Sequence, residues 1–386
     1  MENPLLTATE TDLRRRRSLK WRLYGDDVLP LWVAEMDVLP PEPVARALSR
    51  AMALGDTGYP WARDYAEALA AFAERHWGWS PDPGRARLVP NVMLGVSEVL
   101  KVVTGPGDAV VLNPPVYPPF FAFVRNLGRR VVEAPLGADG RLDLEALDAA
   151  FGEARRGGRP AAYLLCSPHN PTGVVHTRAE LMATGELAAH HGVRVVVDEI
   201  HAPLVHEPGT FTPFLSLPVG SAAFSLMSAS KAFNLAGLPS ALATAGADAQ
   251  HDLAAMPEEV AFGASHVGSL AQAAALREGD PWLAALVSGL DENRRLVADL
   301  LAEHLPEVGY HVPEATYLAW LDCRALGLGP DPAAVFRERG RVALSPGPGF
   351  GTGGAGHARL NFATSPEILR EAVERMARAV RRGSQA

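Results

Sequence analysis

The sequence predicts an α/β fold with a mostly parallel sheet between helices, followed by a smaller α+β domain. Three observations carry this expectation. From Leu88 onward, short β-branched runs alternate with helical patterns, which is the signature of βαβ units. After Asp280 the texture changes to strands separated by single helices. The chain of 386 residues is also long enough for two domains. The expected division is an arm over 1–45 that contributes to the small domain, a large domain over 46–282 and a small domain over 283–386.

The elements follow in order. Pro30 to Pro43 reads PLWVAEMDVLPPEP, and its two proline clusters suggest an extended arm pinned onto the body. A helical pattern from Pro43 to Leu54 is broken by GDTGYP (Gly55 to Pro60). A second helix is expected from about Arg63 to His76. Gly95-Val96-Ser97 is expected to open a helix, Asp108 to Leu112 to form a strand, and PPVYPPF (Pro114 to Phe120) a stiff loop. Strands are expected at Arg130 to Ala134 and Ala161 to Cys166, the second delivering the turn-rich SPHNPTG (Ser167 to Gly173). Thr177 and Glu180 form a capping box for a helix to about His190. The run Val193 to Val197 ends in Asp198, and the apolar run Ala222 to Met227 leads into SASKAFNLAGL (Ser228 to Leu238). Asp280-Pro281 reads as the N-cap and first residue of a long helix to about His304. Strands at Tyr317 to Leu321, Val342 to Leu344 and Ala358 to Phe362 then alternate with helices starting at Asp331-Pro332 and Ser365-Pro366.

Composition excludes several classes. Hydrophobic residues make up 48% and charged residues 21%, as in an ordinary globular protein. A net charge of −8 argues against general nucleic-acid binding, which needs clustered cations. No apolar stretch reaches the length of a membrane span. The run Arg14 to Arg17 is half of a twin-arginine signal without the apolar region that should follow, so it reads as a solvated surface run. Two cysteines, Cys166 and Cys323, suit a reducing compartment, and the expected location is cytoplasmic.

Chemistry is expected where strands end, because ligands of open α/β sheets bind outside the carboxyl ends of the strands. Asn170, Asp198 and Lys231 each follow such a strand. A lysine flanked by small hydroxyl residues just past a buried strand is unusual, since a desolvated ammonium is costly; a neutral lysine is what Schiff-base chemistry needs. The helix at Gly95-Val96-Ser97 could offer N–H groups to a phosphate, and Tyr117 could stack on a flat ring. An amine, a carboxylate, an amide, an aromatic plate and an anion nest together describe a pyridoxal phosphate site. There the carboxylate keeps the ring nitrogen protonated.

The sequence resembles the fold-type-I pyridoxal phosphate enzymes of the aminotransferase class I/II group, and within it the cystathionine β-lyase (C–S lyase) branch. The resemblance rests on KW (Lys20-Trp21), LPLWVAEMD (Leu29 to Asp37), GYP (Gly58 to Pro60), PPVYPPF, SPHNPTG, VVDEIH (Val196 to His201), SASKAFNLAGL and ARLN (Ala358 to Asn361). It implies an aspartate aminotransferase-like large domain and a role for each matching residue. Lys231 would carry the cofactor and move the Cα proton. Asp198 would pair with the ring nitrogen and Asn170 with the ring oxygen, beside which the branch has a histidine, here His201. Tyr117 would stack on the ring. Ser228 and the Val96-Ser97 backbone would hold the phosphate, joined by Tyr59 from the neighbouring subunit of a homodimer with shared active sites. Arg359 would bind the carboxylate of a small amino-acid substrate, with Ala34 on the substrate side. Glu35 departs from the branch's WVADMD pattern, and 232–250 holds no Lys, Arg or His to pair with the phosphate. The implied reaction is α,β-elimination on cystathionine or another S-substituted L-cysteine. The rivals are an aminotransferase using the same site and a protein that restrains a regulator, as the maltose-regulon modulator of the branch does.

Two further signals are set aside. Gly351 to Gly356 fits GxGxxG, but a strand rather than a helix is expected after it. Asp198, Glu199, His201 and His206 lack helical ligand spacing, so no metal is expected.

Overall fold

The computed structural model describes residues 2–383. The short strand β1 (Leu29–Pro30) lies in the N-terminal segment. The apolar runs form β2 (Ala86–Val89), β3 (Ala109–Leu112), β4 (Arg130–Glu133), β5 (Ala161–Cys166), β6 (Arg194–Asp198), β7 (Phe224–Met227) and β8 (Ala241–Ala245). These make one seven-stranded sheet of order β2-β8-β7-β6-β5-β3-β4. Strand β8 runs antiparallel to both its neighbours, while the pairs from β7 to β4 are all parallel. Later in the chain come β9 (Gly309–Tyr310), β10 (Leu318–Asp322), β11 (Val342–Ala343), β12 (Ser345–Pro346) and β13 (His357–Asn361). A four-stranded antiparallel sheet has the order β12-β13-β10-β9, and β11 pairs with β1. The expected fold class is therefore the observed one.

Strand pleating sorts the side chains of the large sheet. Ala162, Leu164, Cys166, Val196, Phe224 and Leu226 pack on one face with the helix Val92–Val103. Ala161, Tyr163, Leu165, Val195 and Val197 pack on the other with the helix Leu144–Ala154. Period-two alternation thus decides which strand-end residues look into the same space. Gly95 lets the helix Val92–Val103 lie against this sheet, because a Cβ there would meet Leu226 Cδ1 and Val89 Cγ2 at 2.8 Å.

Several boundaries differ from expectation, each for a local reason. The helix expected to open at Gly95-Val96-Ser97 begins at Val92, because Asn91 caps it through Leu94 N–H at 2.9 Å. Pro118 and Pro119 of the expected stiff loop start a helix, Pro118–Asn126, whose first turn tolerates proline. Asp280 is not an N-cap but the first residue of the helix Asp280–His304; its carboxylate pairs with Arg75 and His76. The helix His266–Glu278 was not expected, and its run of small residues explains why no apolar stripe betrayed it. The capping box at Thr177 and Glu180 is present as expected. No helix among the described residues is long and apolar enough to cross a membrane.

Candidate active site

A cavity of 250 Å³ opens where β5, β6 and β7 end. Its lining includes Ala34, Asn91, Val92, Met93, Tyr117, Asn170, Asp198, His201, Ser228 and Lys231. Pleating places Asp198, two residues beyond Val196, on the face of the helix Val92–Val103. Glu199, one residue later, turns the other way, accepting from Phe214 N–H at 2.8 Å and from the Ser225 hydroxyl. Asp198 accepts from Ile200 N–H at 3.1 Å, and burial raises its pKa to about 6, against the lowering influence of Lys231. A carboxyl so placed favours a cationic partner strongly.

Lys231 Nζ donates to the carbonyl of Ala34 at 2.9 Å. Burial, aided by the nearby Arg359 charge, lowers its pKa to about 8, although Asp198 and Glu35 pull it upward. The folded chain therefore gives up this proton well before the unfolded chain does, and its contribution to stability rises with pH between about 8 and the ordinary lysine value of 10.5. In cofactor-free protein an amine-acylating reagent should modify Lys231 with a midpoint near pH 8. A midpoint near 10.5 would show that the amine is solvated.

Asn170 and Arg359 are coupled: Arg359 Nη1 donates to Asn170 Oδ1 at 3.0 Å. This commits the amide oxygen and leaves Asn170 Nδ2 as the donor facing the cavity. Arg359 lies on β13 with Asn361 on the same face, while Ala358 and Leu360 point into the core. Its guanidinium stands over the Phe350 ring at 5.2 Å, and its Nε is buried without a partner. Burial pushes its pKa down to about 10. His201 is held neutral, with a pKa lowered to about 3 mainly by burial, and its Nδ1 is likewise buried and unpartnered. Tyr117 lines the cavity beside these groups, its N–H bonded to Asn170 O at 3.1 Å.

The expected phosphate donors are only partly placed as predicted. Val96 and Ser97 lie within the helix, and the Ser97 hydroxyl donates to Met93 O at 3.1 Å. The first-turn N–H groups of Val92 and Met93, at the cavity wall, are the ones helix geometry leaves free. Ser228 lines the cavity, but its hydroxyl also lies 2.8 Å from Ser240 O and 2.9 Å from Gln272 Oε1. Among the described lining residues Lys231 is the one cation, in keeping with the cation-free 232–250 stretch. Tyr59 is not brought to this cavity by its own chain; it is 82% exposed, with its ring 5.3 Å from that of Phe262.

The residues not foreseen are those that hold the arm. Lys20 and Trp21 both reach Asp37: the Lys20 ammonium pairs with Oδ2 at 2.8 Å, and Trp21 Nε1 donates to Oδ1 at 2.8 Å. This ion pair is buried, and further bonds to both partners offset its desolvation. Lys20 also donates to Glu35 O, and Asn361 Nδ2 donates to both Val33 O and Glu35 O. Tyr317 donates to Ala34 O at 3.0 Å, and Asn234 bonds Met36 through both its amide atoms. Arg16 reaches Met36 O and Val38 O, so the basic run is not only solvated surface. The carboxylate of Glu35, the residue that departs from the WVADMD pattern, accepts from the Ser18 hydroxyl. The alternation of Arg359 and Asn361 with Ala358 and Leu360 could have flagged Asn361 as facing the arm.

A desolvated lysine, a buried carboxylate, a donor amide, a neutral histidine with a bare nitrogen and free helix N–H groups fit pyridoxal phosphate. The aminotransferase class I and II family matches residues 26–376. The chain belongs to that family. A Mycobacterium leprae (strain TN) protein provisionally named cystathionine beta-lyase is 54% identical, over 98% of both chains. Cystathionine beta-lyase PatB of Bacillus subtilis (strain 168) is 34% identical, over 94% of this chain and 97% of its own. A crystal structure from Corynebacterium diphtheriae, provisionally described as a PLP-dependent beta-cystathionase, superposes with a TM-score of 0.91. It is 33% identical and covers 97% of this chain and 98% of its own. In this aminotransferase class I and II chain, Ala34, Tyr117, Asn170, Asp198, His201, Ser228 and Lys231 line one cavity at an end of the large sheet.

Proposed function

We propose that the protein is a pyridoxal phosphate-dependent carbon–sulfur β-lyase that cleaves cystathionine or another S-substituted L-cysteine to a thiol, pyruvate and ammonia. The observation that carries this reading is Lys231, its pKa lowered to about 8, sharing one cavity with buried Asp198 and lying within the electrostatic reach of Arg359. The names of the relatives support the lyase over other reactions of the family. Pyridoxal phosphate, attached through Lys231, supplies an electron sink for the charge left at Cα.

The chain's own residues do the rest. Arg359 binds the substrate carboxylate, and Asn170 Oδ1 holds the guanidinium in place. With the cofactor bound, Asp198 would hold a proton on the ring nitrogen, Asn170 Nδ2 and His201 would serve the ring oxygen, and Tyr117 would cover the ring. Lys231 Nζ would take the Cα proton. The Cβ–S bond then breaks, its electron pair leaves with sulfur as a thiolate, and the three-carbon remainder hydrolyses to pyruvate and ammonia.

The protomer also presents Met52, Leu54, Tyr59, Trp61 and Phe262 as exposed apolar side chains. Patches of this kind mark interaction sites, which supports a homodimer in which Tyr59 serves the neighbour's phosphate. The working division is an arm over 1–45, a large domain over 46–282 and a small domain over 283–386. Incubation with L-cystathionine alone should yield pyruvate and thiol in equal amounts with no keto acid added. Pyruvate or other keto acid that forms only when a second keto acid is present would make the protein an aminotransferase instead.

A further inference from the structure

The carbonyl of Ala34 accepts twice, from Lys231 Nζ at 2.9 Å and from the Tyr317 hydroxyl at 3.0 Å. The two donors differ in what becomes of them. Lys231 keeps its hydrogens only while its nitrogen is an amine. Forming a C=N bond to an aldehyde expels the aldehyde oxygen as water and leaves the nitrogen at most one hydrogen. In an aldehyde with a neighbouring ring hydroxyl, such as pyridoxal phosphate, the ring oxygen holds that hydrogen. Attachment of the cofactor at Lys231 therefore takes the lysine away from Ala34 O, and Tyr317 stays. Burial raises the Tyr317 pKa well above the usual tyrosine value, so its hydroxyl remains a donor.

No neighbouring donor is free to take the lysine's place. Ala34 is 9% exposed and lines the cavity that the cofactor would enter. The flanking carbonyls, Val33 O and Glu35 O, use both hydrogens of Asn361 Nδ2, and Lys20 donates to Glu35 O as well. The Tyr317 hydroxyl acts on Ala34 O purely as a donor, so removing it releases no other hydrogen to the carbonyl. We propose that Tyr317 is a positioning residue for the cofactor linkage: its hydroxyl satisfies the Ala34 carbonyl once Lys231 has left it, and so keeps the arm against the site while the lysine carries the cofactor. The inference rests on Lys231 as the point of attachment. It adds a buried residue just ahead of β10 that no motif singled out.

The test sets the aldehyde form of the cofactor against its amine form. Pyridoxal 5′-phosphate forms the C=N bond with Lys231, whereas pyridoxamine 5′-phosphate has no aldehyde and lets the lysine stay on Ala34 O. Each is titrated into the full chain freed of cofactor and followed by absorbance and fluorescence, a binding readout independent of turnover. In Tyr317→Phe the aldehyde form leaves a buried carbonyl without a donor, which corresponds to weakening of about tenfold or more. The amine form should bind as in the parent protein, because Lys231 then still serves the carbonyl. An equal loss for both forms would make Tyr317 a merely structural residue, and unchanged binding of both would mean that the carbonyl needs no second donor; either result overturns the proposal. Borohydride reduction separates the underlying reading. If the cofactor is fixed on the peptide containing Lys231 while the ratio of the two affinities is unchanged in Tyr317→Phe, only the role of Tyr317 fails. If it is fixed on another peptide, Lys231 is not the point of attachment.

Discussion

Lys231→Ala is expected to lower turnover by at least about three orders of magnitude, as for removal of a group that acts covalently and as base. The variant should stay folded, because Lys231 contributes one bond to an arm carbonyl that Tyr317 also holds. Borohydride reduction of the parent protein should fix the cofactor on the one peptide containing Lys231. Attachment at Lys20 instead would end the assignment, and the structure argues against it, since the Lys20 ammonium is buried against Asp37. The same variant tests the proposed sharing of sites in a homodimer. Mixed with an inactive Tyr59→Ala protein, exchanging subunits should regain activity, because one site of each hybrid dimer then has both residues. No recovery despite proven exchange would mean that Tyr59 does not serve the neighbour.

Asp198→Ala should reduce turnover on the order of 10²- to 10³-fold, the scale seen when a preorganised electrostatic partner is removed. Cofactor retention should fall with it. Burial already holds the Asp198 carboxyl in a site that disfavours an unpaired charge, so its ionised form depends on a cation opposite. Glu199→Gln is the internal control. That side chain faces Ser225 and Phe214 on the other side of the sheet, and its loss should leave the ring chemistry intact. Near-normal turnover in Asp198→Ala with loss in Glu199→Gln would reverse the two roles.

The chemistry was legible in the sequence where it depended on strand exits. Asn170, Asp198 and Lys231 follow apolar runs short enough to read as strands, and period-two alternation separates Asp198 from Glu199 without coordinates. Helix phase was less legible. The sequence suggests a helix opening at Gly95-Val96-Ser97, whereas Asn91 caps it one turn earlier and Gly95 serves close packing. The arm's anchors were illegible for a different reason. Tyr317, Asn361 and Ser345 act on carbonyl groups, which carry no residue identity, and they do so across some 280 to 330 positions of chain. A motif such as KW registers as a family mark, yet its reason is the carboxylate of Asp37, sixteen or seventeen residues away.

The arm's bonding has a consequence for the order in which the chain folds. The side chains that satisfy the carbonyls of residues 32–36 include Lys231, Tyr317, Ser345, Arg359 and Asn361, all far along the chain. These are contacts of high sequence separation, which form late because loop-closure entropy must be met first. The arm can therefore be clasped only after β10 and β13 are in place, and the Ala34 carbonyl that meets the Lys231 amine arrives with it. The surroundings of the reactive lysine are completed by the slowest-forming contacts of the fold rather than by its own neighbours on the large sheet.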